Sequence, residues 1–97
     1  MSRSRGLAED LLGSAGRIRV LKVLSESGEL NISEVSRRSG LNYTSVERHL
    51  AKLAKLGLVK EKRYGKIRIF QTLFTSLTIR FEKGDDVKVE LEKKTED

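Results

Sequence analysis

Apolar positions along the chain follow a helical period in the first half and a strict alternation in the second. From Ser14 to Ser25, Ile18, Leu21 and Leu24 recur at helical spacing, Val20 and Val23 broaden the stripe, and Arg17, Arg19 and Lys22 fall outside it. Ser14 is suited to cap this helix and Gly28 to stop it. Leu7, Leu11 and Leu12 predict a short preceding helix broken at Gly13, with Arg3 and Arg5 ahead of it as a mobile arm. After Gly28, the stretch Glu29 to Ile32 leads to Ser33, a second cap, for a helix that buries Val35 and closes at Gly40. Asn42 then caps a longer helix with Val46, Leu50, Leu53 and Leu56 on one side and Gly57 at its end.

The period changes beyond Gly57. Leu58 to Arg63 predicts a strand, Tyr64-Gly65 a turn and Lys66 to Gln71 a returning strand, with Ile67 and Ile69 pointing one way and Lys66 and Arg68 the other. In the tail, Leu77, Ile79 and Phe81, then Val87, Val89 and Leu91, alternate about Gly84-Asp85-Asp86, as a second hairpin would. Leu73, Leu77 and Phe81 also fit a helix, but the β-branched Thr72, Thr75, Thr78 and Ile79 favour strands. The terminal LEKKTED is expected to fray.

At 97 residues there is room for one core. The division expected is a main domain over residues 1–72 and an extension over 73–97 that either dimerises the protein or completes its core. No apolar run is long enough to span a membrane, and the start MSRSRGLAEDLL lacks a secretion-signal pattern, so a cytoplasmic, nucleoid-associated protein with no membrane partner is expected. Without cysteine, disulfides and thiolate metal sites are excluded.

Charge changes this picture most. Residues 1–72 hold 15 Lys and Arg against 7 Asp and Glu, a net +8, whereas residues 73–97 hold 5 against 7, a net −2. Cations that neutralise phosphates release condensed counterions, so the excess favours a polyanionic partner, although solvated surface charge would look the same. The side of the 42–56 helix opposite Val46 and Leu50 is formed by Thr44, Arg48, Ala51, Lys52 and Lys55, with three cations and no acid. Glu47 stands at its edge, the one group a phosphate would repel.

The string SEVSRRSGLNYTSVERHLAKLAKLGLV, within a wider similarity over about residues 11–70, resembles the ArsR-like winged helix-turn-helix regulators. The resemblance implies an α+β fold of three core helices and a basic β-hairpin wing, and a dimeric regulator that binds double-stranded DNA. It also implies a recognition helix in the major groove, with the wing on the backbone or minor groove. Tyr43, Thr44, Ser45 and Arg48 are then the expected readers of base edges. Lys52 and Lys55 fall further along, toward phosphate or water. The wing nominates Arg63, Tyr64, Lys66 and Arg68, and the end of the preceding helix nominates Arg37 and Arg38, which equally suit the helix dipole. Thr44 and Ser45 also suit capping, and Tyr43 also suits packing over the turn.

The departures from the family pattern matter too. Metal-sensing relatives carry cysteine or histidine clusters in the segment matching ELNISEVSRR, which here has no ligand. His49, the one histidine, fits packing or a phosphate contact better than a metal site. No metal or cofactor is therefore expected, and the sequence names no effector: regulation by abundance, by a partner protein or by a small ligand stays open. Catalysis is not expected either, since there is no nucleophile with a base, no glycine-rich phosphate loop and no acid pair in an apolar setting. The competing readings are a winged helix used for protein interaction and a non-specific nucleoid protein.

Overall fold

Three of the helices in the first half begin where a side-chain oxygen meets orphan amides, and two of these end where a glycine turns left-handed. The structure, a computed structural model, describes residues 3–93. Helix α1 spans Arg3–Leu12 and α2 spans Ala15–Ser27; the Ser14 hydroxyl accepts from the Arg17 amide at 3.1 Å, and Gly28 closes α2 with φ 81°. Arg3 and Arg5 thus belong to a helix and not to an arm. Strand β1 (Glu29–Asn31) follows, then α3 (Ile32–Ser39) and α4 (Tyr43–Lys55).

The cap of α3 is Asn31 and not Ser33. Asn31 ends β1 in extended backbone, and its Oδ1 accepts from the Glu34 amide at 2.8 Å, which lets Ile32 enter the helix already buried. Gly40, with φ 74°, closes α3 as its place in the sequence predicts. Asn42 caps α4 by accepting from the Ser45 amide at 2.8 Å.

Strands β2 (Val59–Tyr64) and β3 (Ile67–Thr72) form the wing, and β1 adds to β3, giving the antiparallel order β1-β3-β2. The turn is Gly65-Lys66, one residue later than expected, because Tyr64 still pairs with Ile67 and Gly65 supplies the positive φ. Within β3, Ile67 and Ile69 share one face and Arg68 takes the other, as the alternation predicts. Phe70, opposite Leu30, and Thr72 are buried, so Arg68 shares their face while Ile67 lies on the other and is 55% exposed. One residue of register moves every side chain to the opposite face, and here the larger Phe70 takes the core side.

The tail is a hairpin of β4 (Phe74–Arg80) and β5 (Lys88–Lys93), the stranded option. Of the terminal stretch expected to fray, Leu91 to Lys93 belong to β5 and residues 94–97 lie outside the described residues. The core gathers Val20, Leu24, Val35, Val46, Leu50, Leu53 and Leu58, all fully buried. Phe74 is buried in the same cluster, and Leu77, Ile79 and Leu91 pack against it, so the tail hairpin and the helices share one interior. Ile18 is the exception in the α2 stripe, turned toward α1 and β4 and 38% exposed. Among the described residues no helix is long and apolar enough to cross a membrane.

Candidate nucleic-acid interface

Helix α4 is amphipathic in the sense the sequence predicts. Val46, Leu50 and Leu53 are buried, while Thr44, Arg48, Ala51 and Lys55 are exposed on the opposite side. Its first turn is held by two serines whose role the sequence reading missed. Ser36 Oγ donates to the Leu41 carbonyl at 2.6 Å, and buried Ser39 accepts from the Leu41 amide at 3.3 Å, which clamps the turn between α3 and α4. The spacing Ser-x-x-Ser-Gly-Leu carried that signal. Because Asn42 does the capping, the side chains of Thr44 and Ser45 are not needed for it. Thr44 is exposed, Ser45 half-buried and Tyr43 43% exposed.

The other nominated residues divide into two groups. Tyr64 and Lys66 stand exposed at the tip of the wing, and Arg63 is largely exposed although its Nε lies 3.1 Å from Glu61. Arg37 is exposed and paired with Glu34. Lys52 and Arg68 are half-buried, and Arg38, although exposed, is tied to its neighbours. Lys52 Nζ lies 3.6 Å from Asp10 of α1, and Arg38 meets both Glu34 at 3.0 Å and Ser27 Oγ at 3.1 Å. Arg68 bonds Glu47 of α4 at 2.6 Å and Glu61 of β2 at 2.7 Å, a link that joins the wing to the helix. The Arg68 and Arg63 guanidinium groups hold the Glu61 carboxyl below its usual range.

His49 is buried on the side of α4 that meets α2. A β-carbon at Gly16 would stand 2.8 Å from His49 Nε2, so the absence of a side chain there is what admits the ring. Its Nδ1 is buried without a hydrogen-bond partner among the described residues. Burial first, then the charges of Arg17 and Arg48, push the imidazole below its ordinary value of 6.5. A histidine depressed in the folded state contributes stability that is present above its unfolded pKa and is lost as pH falls toward the folded value. Thermal unfolding should therefore show a decline between about pH 7 and pH 5, above the range where carboxylates titrate, and His49→Gln should flatten it.

The ensemble is a capped helix with a polar, cationic outer face beside a hairpin carrying cations at its tip. Residues 14–61 match the model described as "Bacterial regulatory protein, arsR family". They form an ArsR-family helix-turn-helix domain. Solved structures match a larger share of the chain. The antimony-specific transcriptional repressor AntR superposes with a TM-score of 0.60 at 24% identity, covering 65% of this chain and 57% of that one. A possible transcriptional regulatory protein from Mycobacterium bovis, a fragment of residues 1–100, gives 0.59 at 26% identity, covering 64% and 66%. The homodimeric winged helix-turn-helix DNA-binding domain Mb0332, also from Mycobacterium bovis, gives 0.58 at 23% identity over 74% and 71%. The chain thus spans less than two thirds of the AntR structure and of the first Mycobacterium bovis structure. No curated protein matches it significantly. The fold is the winged helix-turn-helix, and the family is one of transcription regulators and not of enzymes. Among the described residues no group of histidine and acidic side chains is placed to hold a metal ion, and the sequence has no cysteine.

Proposed function

We propose that the protein is a sequence-specific, double-stranded DNA-binding transcription regulator that acts as a homodimer in the cytoplasm, associated with the nucleoid. The observation that carries this is the outer face of α4, where Thr44, Arg48 and Lys55 stand exposed beside the Lys66 tip of the wing. In this arrangement the first turns of α4 enter the major groove, with Tyr43, Thr44, Ser45 and Arg48 nearest the base edges. Lys55, Arg63, Tyr64, Lys66 and Arg37 meet the backbone, while Lys52, half-buried, and Arg38, tied to its neighbours, contribute charge.

Residues 1–72 supply the reading head in this account. Residues 73–97 supply a surface for the second copy as well as part of the core. Leu11, Leu12, Ile18, Leu21, Phe74 and Leu77 line an open apolar groove of about 440 Å³ between α1, α2 and β4. Phe81, 70% exposed, extends this apolar surface along α1. An apolar surface of this kind invites a partner, and the homodimeric state of Mb0332 supports a second copy as the occupant. The two recognition helices would then sit ~34 Å apart on successive major grooves. Ile18→Asp, at an exposed position, is expected to give a folded monomer by sedimentation; a dimer of unchanged affinity would remove this groove as the interface.

Lys66→Ala should weaken binding to all duplexes alike and make the plot of log K against log salt shallower by about 0.9, the signature of one phosphate contact. Unchanged salt dependence would place Lys66 off the DNA. The reading as a whole is tested by equilibrium binding of the purified chain to random-pool duplexes across a salt series, with retained fragments sequenced. An enriched palindrome is expected. Salt-sensitive binding without a motif would indicate a nucleoid protein, and no binding at low salt would indicate a protein-interaction module.

A further inference from the structure

Arg68 lies on the second rung of the wing from its turn, opposite Arg63, yet its side chain is only 21% exposed, unlike that of Lys66 two residues earlier. Its Nη1 donates to Glu47 Oε2 at 2.6 Å and its Nε to Glu61 Oε2 at 2.7 Å. The guanidinium carbon stands 5.7 Å from the centre of the ring of Phe70, a buried member of the core. Two carboxylates and an aromatic face thus use the fork and the plane of one side chain, a combination that the point charge of lysine does not reproduce. Arg68 also sits directly opposite Arg63 in the strand register, and Glu61, bonded to both, relieves the repulsion between them.

Glu47 gives the arrangement its purpose. It precedes Arg48 on the recognition helix, where a bare carboxylate would repel the phosphate backbone. Arg68 is the cation that neutralises it, and it reaches Glu47 from a different element of the fold.

We propose that Arg68 is a positioning residue, which sets the wing against the recognition helix through Glu47 and masks that carboxylate from DNA, and that it is not a phosphate ligand. This rests on the DNA-binding reading of the same face. Two measurements on the full chain separate the two. In thermal unfolding without DNA, Arg68→Ala and the double variant with Glu47→Gln should lower Tm equally, because each has lost the same link. Fully additive losses would overturn the proposal.

With a selected duplex, Arg68→Ala and Arg68→Lys should both weaken binding about tenfold at an unchanged salt slope. A salt slope shallower by about 0.9 in Arg68→Ala, with Arg68→Lys behaving as the unsubstituted chain, would make Arg68 a phosphate ligand and overturn it. Failure of the unsubstituted chain to bind any duplex would instead overturn the DNA-binding reading, while the unfolding comparison would still decide whether Arg68 ties wing to helix.

Discussion

Leu50→Ala is expected to cost about 2–5 kcal/mol of folding stability, the largest single effect foreseen for this chain. Leu50 is fully buried at the centre of α4, on the side opposite Arg48, and packs in the cluster that holds Val20, Leu24, Val35 and Phe70 together. Its removal deletes buried methyl groups and leaves a cavity that α2 and α3 only partly refill. Against a total of about 5–15 kcal/mol for a domain of ordinary stability, such a loss is a large fraction. Thermal unfolding followed by circular dichroism should show Tm falling by about 10 °C or more. Because the helix that carries Leu50 is the one that presents Arg48, binding should fail in parallel with folding and recover on cooling. A loss under about 1 kcal/mol would mean that α4 is not anchored as described.

Arg48→Ala should leave stability almost unchanged and act on recognition. The side chain is exposed in the second turn of α4, where a guanidinium reaches a guanine edge in bidentate fashion, worth about 1–3 kcal/mol of discrimination. The expected result is weaker binding to the selected duplex with relaxed preference at one base position, read by competition among duplexes differing at single positions. A uniform loss across all sequences, like that expected for Lys66→Ala, would reassign Arg48 to the backbone.

Most of the helical half was legible because its punctuation is local. Ser14, Gly28, Gly40 and Asn42 each act on backbone groups within four residues, and all four do what their positions predict. Ser33 misled because it competes with Asn31, and the choice between them depends on β1 pairing with β3, a contact some forty residues distant in sequence. The same distance explains the wing. The alternation in Lys66 to Gln71 fits either face, and only the register against Leu30 and Glu61 turns Phe70 inward and carries Arg68 with it.

The outer face of α4 was readable from helical projection alone. That Glu47 would be covered was not, since its partner lies 21 residues away on another element. The inward turn of Lys52 toward Asp10 has the same origin: it depends on how α1 packs, which periodicity does not report.

The central claim is that α4 and the wing tip form the DNA-contacting face, while α1 and the β4–β5 hairpin do not. It is tested most directly by mapping backbone amide chemical shifts on titration with a selected duplex. The account predicts large perturbations over Tyr43 to Lys55 and at Arg63 to Lys66, with little change along β4 and β5. Perturbations concentrated on β4, β5 and the Ile18 groove, with a silent α4, would contradict it.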